Sequence, residues 1–97
     1  MKILAIEKEM PGTTSENFAP HLKDEAIHVY DLYKCGIIRE IYFRKNESSA
    51  VLMMECKDEI EAKNYLNEFP LVKNKLINFD IIPLIPYPGF DRILTNL

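Results

Sequence analysis

Five side chains of this 97-residue chain have the types and spacing for proton chemistry: Glu40, Tyr42, Arg44, Glu55 and His28. Glu40, Tyr42 and Arg44 stand at every second position of a run dense in β-branched and aromatic residues, so they share one face of a strand. Glu55 falls on the same face of the next dense run. Several carboxylates beside an arginine in a partly apolar cavity can have their pKa values driven apart, so that one serves as base and another as acid. The same groups also fit cross-strand or intersubunit ion pairs, or solvated strand ends. Glu7 and Asp80 are further polar candidates for that face.

The remaining reactive types form no recognised ligand or nucleophile pattern. His21 and His28 are seven apart, two helical turns, which is too long for a metal pair at i and i+4, and only Glu25 lies between them within reach. Cys35 and Cys56 are 21 positions apart without CxxC spacing, and read as buried thiols, not a disulfide. Tyr30 and Tyr33 read as packing residues with a wet hydroxyl. Glycine-rich phosphate loops, GxSxG and HExxH are all absent from the sequence. Neither a metal nor a cofactor is expected.

The elements that must position these groups follow from periodicity. Residues 2–8 alternate in part and end at Pro11-Gly12, giving a first strand. Thr13, Thr14 and Ser15 can cap a helix that begins near Ser15 and carries Phe18, Leu22, Ala26, Val29 and Tyr33 as one apolar stripe. Gly36 closes it. Pro20 either sits in its first turn or delays the true start by a few residues.

Residues 37–44 and 50–56 form a hairpin across the polar turn Asn46-Glu47-Ser48-Ser49. Residues 58–69 open with acids, carry Ala62, Leu66 and Phe69 at helical spacing, and stop before Pro70. Residues 76–85 supply a last strand, placed at an edge or cut short by Pro83 and Pro86.

The predicted fold class is therefore α+β, a single ferredoxin-like β-α-β-β-α-β domain over residues 1–97. Its four-stranded antiparallel sheet has two helices on one face. The other face is expected to carry Val51, Met53, Tyr42, Ile3 and Ala5, too apolar to be left bare. Dimerisation through that face gives a dimeric α+β barrel with a pocket between the sheets.

Composition narrows the class further. Twelve Lys and Arg against fifteen Asp and Glu give a net charge of −3, with no basic stripe of the kind phosphate backbones require, so no nucleic-acid partner is expected. No apolar run approaches the ~20 residues of a membrane helix. The start reads as a strand and not as a signal peptide, so a cytoplasmic location is expected.

Glu55-Cys56, the helix with Ala62, Phe69-Pro70-Leu71-Val72, Phe79-Asp80-Ile81-Ile82-Pro83-Leu84 and Tyr87-Pro88-Gly89-Phe90 together resemble the muconolactone isomerase-like family of dimeric α+β barrels. In that family a hydrophobic-Pro-Leu turn precedes the last strand and a proline-containing tail follows it. The resemblance implies a homo-oligomer of barrel dimers, assembled into decamers in muconolactone isomerases, with active sites in clefts between subunits. It also implies a proton shift that moves a double bond within a lactone. By position, Glu40 or Glu55 would be the base, with Arg44, Tyr42 or His28 supporting the enolate oxygen.

Two other readings stand beside this isomerase-like one. The mixed face can be spent wholly on subunit contact, making the protein a noncatalytic ligand-binding or assembly module. A haem-degrading barrel would need a pocket histidine, whereas helices on the outer face would turn His21 and His28 away.

Overall fold

The structure is a computed structural model and describes residues 1–94. The elements are β1 (Lys2–Glu9), α1 (Ser15–Phe18), α2 (Leu22–Lys34), β2 (Ile38–Phe43), β3 (Ala50–Glu55), α3 (Glu59–Asn67), α4 (Pro70–Lys73), β4 (Ile77–Leu84) and α5 (Asp91–Leu94). Single 3₁₀ turns lie at Ala19–His21 and Pro88–Phe90. The strands form one antiparallel sheet in the order β2-β3-β1-β4, the ferredoxin-like arrangement expected. β4 is an edge strand, where Pro83 is tolerated.

The first helix is not continuous. Pro20 lacks an N–H and falls in a 3₁₀ turn, so a four-residue α1 is followed by the main helix α2 from Leu22. At its far end Gly36 adopts φ +85°, its N–H bonding Tyr33 O at 3.2 Å and that of Ile37 bonding Leu32 O at 3.0 Å. This is a Schellman stop.

The second half repeats the device with a residue that suits it less. Lys75 takes φ +60° after α4, with Lys75 N–H on Val72 O at 3.0 Å and Leu76 N–H on Leu71 O at 2.9 Å. A side chain in the left-handed region costs about 1–2 kcal/mol, most of which glycine avoids. Lys75→Gly is therefore expected to raise unfolding stability by about 1 kcal/mol in urea titration; an unchanged or lower midpoint would refute it.

Register decides which residues meet the helices. Ile3 pairs with Met54 and Ala5 with Leu52, and all four are fully buried on the helix side. The expectation that Ile3 and Ala5 occupy the open face is thus corrected. Leu4 and Ile6 lie there instead, half-buried like the expected Val51 and Met53, with Tyr42 beside Val51 as expected. β1 is a central strand with apolar residues on both faces, so alternation alone does not orient it.

The core is completed by Ala62 and Leu66 of α3, Phe69 and Leu71 of α4, Ile77 and Phe79 of β4, and Leu32 of α2. Cys56 belongs to this core, and burial pushes its thiol pKa up. Cys35, expected to be buried, is exposed just past the end of α2.

Beyond Leu84 the chain leaves the body. Ile85, Tyr87, Phe90 and Ile93 are all at least 64% exposed, and the only ring contact there is Tyr87 against Phe90 at 5.2 Å. The molecule measures 60 × 28 × 21 Å with a radius of gyration of 16.2 Å. A compact chain of this length has a radius of about 12.5 Å. Residues 85–94 form an apolar arm.

Candidate functional site

The two halves of the helix layer are packed unequally. α3 and α4 fill the sheet over β1 and β4, whereas α2 contributes only Leu32 to the buried core. Opposite α2, Ile41 and Phe43 point from β2 toward the helix side and stay exposed. Between them opens a cavity of about 970 Å³. Small side chains at Ala26 and Ala50 widen it, while Phe18, Val29, Leu52 and Phe79 form its apolar wall.

Two carboxylates face this space from the packed interior. Glu7 follows Ile3 and Ala5 on the helix face of β1 and is 8% exposed. The β1–β3 ladder runs to Ile6 and Val51, and at the next pair the Glu7 side chain substitutes for the backbone, its Oε1 accepting the Ala50 N–H at 3.2 Å. Glu25, on α2, accepts the Leu71 N–H at 3.0 Å and so caps the start of α4. In each, Oε2 accepts no hydrogen bond among the described residues.

Burial pushes the pKa of Glu7 upward; its bond from Ala50 works against this, and the charges of Glu9 and Glu47 add to it. Burial also raises that of Glu25, opposed by the bond from Leu71 and reinforced by the charge of Glu7. Each carboxyl is held closer to neutrality than it would be in water. Carboxyls held near neutrality in this way are suited to acid–base work.

The five side chains singled out by sequence are not gathered in one place. Glu40 and Tyr42 remain together, the Tyr42 hydroxyl donating to Glu40 Oε1 at 2.9 Å; their pairing with Met53 and Val51 turns both side chains to the open face, so β2 meets the cavity with Ile41 and Phe43. That bond, with the nearby carboxylate charge, raises the Tyr42 pKa. Arg44 Nη1 pairs with Glu47 at 2.9 Å in the hairpin turn, and Glu55 Oε2 lies 3.2 Å from the Met1 amino group. His28 packs edge-on against Phe69 at 4.9 Å, away from the cavity lining.

Glu7 was assigned by parity to the open face and lies on the helix face, for the reason that misplaced Ile3 and Ala5. Asp80 does lie on the open face, paired with Lys8 at 2.9 Å. Sequence reasoning weighed Glu25 only as a neighbour of the histidines, and Arg39 not at all. The available signal was a carboxylate at the end of the alternation Ile3-Ala5-Glu7 and another beside the apolar stripe of α2. Among the described residues no group of three or more His, Cys, Asp or Glu is arranged to hold a metal ion, and no helix is long and apolar enough to cross a membrane.

No family model matches the chain, and no curated protein matches it. Among solved structures it is similar to muconolactone isomerase, at 13% identity and a TM-score of 0.75, covering 92% of this chain and 93% of that one. It is also similar to 5-chloro-2-hydroxyhydroquinone dehydrochlorinase from Burkholderia phenoliruptrix AC1100, solved in complex with 2,5-dihydroxybenzoquinone. There the identity is 17% and the TM-score 0.65, covering 92% of this chain and 98% of that one. The resemblance read from the second half of the sequence thus extends to the fold of nearly the whole chain. At these identities it is a likeness of fold.

Proposed function

We propose that the protein is a cofactor-independent proton-transfer enzyme, an isomerase of a ring-bearing carbonyl compound, working in the cavity between α2 and the sheet. The observation that carries this is the pair Glu7 and Glu25: two carboxyls with raised pKa values, each anchored by one oxygen and presenting the other. Retaining such groups in a core costs stability, and that cost is typical of a working site. The likeness in fold to an isomerase and a dehydrochlorinase is consistent with it.

In the proposed step one ionised carboxylate removes a proton from carbon next to the carbonyl. The C–H electron pair moves into the enolate, and the carboxyl O–H forms. The second carboxyl, still protonated, donates a hydrogen bond to the enolate oxygen or delivers its proton at the far carbon, so the double bond moves without net oxidation.

Incubating the protein in D₂O with a panel of cyclic enones and unsaturated lactones, followed by NMR, tests the reading. Deuterium entering beside the carbonyl, together with a migrated double bond, is expected for at least one member. Binding across the panel with no exchange would leave the noncatalytic binding module in its place.

The chain is also proposed to act as a homo-oligomer. The open sheet face presents Leu4, Ile6, Val51, Met53 and Ile82, and the arm adds more apolar surface with no contact to its own core. Light scattering at micromolar concentration is expected to give a dimer or larger species, and Met53→Glu a monomer. A monomeric wild type would overturn the assembly.

A further inference from the structure

We infer, resting on the homo-oligomer proposed above, that residues 85–94 of each subunit seat in the mouth of the α2–β2 cavity of a second copy, so that each cavity is closed by the other subunit's arm. The arm is a shaped unit and not a loose tail. Pro86 and Pro88 restrict its backbone, the 3₁₀ turn runs straight into α5, and the Asp91 N–H bonds the Pro88 and Gly89 carbonyls. Tyr87 folds back over Gly89, where its ring occupies the space that a β-carbon would need, and meets Phe90 edge-on at 5.2 Å. The result is an aromatic hook with no core beneath it. A segment already held in shape loses little freedom on docking.

The cavity has a wall missing where such a hook fits. Tyr30 and Tyr33 of α2 and Ile41 and Phe43 of β2 line it, and all four are exposed. Glu7 and Glu25 lie deeper, and proton transfer at them is favoured by excluding water. Within one chain the arm starts from the wrong edge, because β4 and β2 are the outer strands of the sheet, three strand spacings or about 14 Å apart.

Face-to-face pairing of the open sheets removes that separation. A twofold axis along the strands reverses the strand order in the second copy, which lays β4 of one over β2 of the other. The ends agree as well. Leu84 pairs with Lys2 and Lys2 with Glu55, whose N–H bonds the Ile37 carbonyl, so the arm emerges at the end of the sheet where β2 begins and α2 has just stopped. An axis across the strands would instead lay β2 over β2 and leave both arms bare. Charge fits the first arrangement: Arg39 lines the cavity at this end, its Nε donating to the Gly36 carbonyl, and forms no ion pair among the described residues. Asp91 on the arm also forms none there, and the two are complementary.

A mixed-chain experiment tests the seat. Wild type with isotope-labelled amides is unfolded in urea together with unlabelled Cys35→Ser, Ile93→Cys protein carrying a nitroxide through a thioether, and the two are refolded as one sample. The amide signals of Tyr30, Tyr33, Ile41 and Phe43 are expected to lose most of their intensity, which in this mixture only the arm of a second copy can cause, and to recover when the nitroxide is reduced. Adding Phe90→Ser to the nitroxide chain is expected to abolish the loss while light scattering still reports a dimer. A dimer whose losses fall on α3 and the β4 edge, or that shows none, overturns the seat and leaves the dimer standing. A monomer overturns the assembly and the seat together.

Discussion

Replacing Glu7 with glutamine is expected to slow proton exchange by about 10²–10⁴-fold and, at pH 8, to make the protein more stable. Glutamine has nearly the same shape, and its Oε1 can still accept the Ala50 N–H that ends the β1–β3 ladder. What it removes is the capacity to ionise. The sign follows from the raised folded-state pKa. At pH values below the ordinary carboxyl pKa both folded and unfolded forms are protonated, and the group contributes nothing. As pH rises above that value the unfolded chain ionises freely, whereas the folded chain must hold a proton or bury a charge, so wild-type stability falls until the folded pKa is passed.

Thermal melts of wild type and Glu7→Gln are accordingly expected to coincide near pH 3.5 and to separate at pH 8 with the variant higher. Glu25→Gln follows the same direction, since its bond to Leu71 can also be kept by the amide. Full activity in both variants, or a lower melting temperature at pH 8, would remove these glutamates from the proposed chemistry.

The largest loss of stability is expected at Phe69, where truncation to alanine should cost about 3–5 kcal/mol in urea denaturation. Its ring is essentially fully buried, with His28 edge-on at 4.9 Å and Phe79 edge-on at 5.5 Å. It is also the residue from which α4 starts. Domains of this size are stable by about 5–15 kcal/mol, so the change takes a large part of the total. The three rings come from α2, the start of α4 and β4, so a void there loosens contacts in three elements. A cost below about 1 kcal/mol would mean that neighbouring side chains collapse into the space and that Phe69 is not the anchor described.

The fold was legible because each element carried its own signal. Pro11-Gly12, Gly36 and Pro70 marked the ends, the stripe from Phe18 to Tyr33 named a helix, and the dense runs on either side of Asn46-Glu47 named a hairpin. The break at Pro20 was one of two open options. The site was less legible because it depends on tertiary arrangement. The cavity exists because α2 places only Leu32 in the buried core, and because Ala26 and Ala50 are too small to fill the space beside it. Neither fact is periodic. Strand parity correctly kept Glu40 with Tyr42, yet it did not reveal that Arg44 and Glu55 would be taken by Glu47 and the Met1 amino group.

Two adjacent residues also determine how β1 comes to lie the right way round. Ile3 and Ala5 on one side and Leu4 and Ile6 on the other are nearly interchangeable as hydrophobic sets, so the strand's first five residues would fold almost as well inside out. Glu7 and Lys8 break that tie. In the native register Glu7 meets Ala50 and Phe79, while Lys8 reaches Asp80 at 2.9 Å on the far side. A slip by one residue would bring the Lys8 ammonium to the buried Glu7 position, where the Ala50 N–H needs an acceptor, and leave Asp80 without its partner. The strand's last turn of the pleat thus acts as its orientation key during folding.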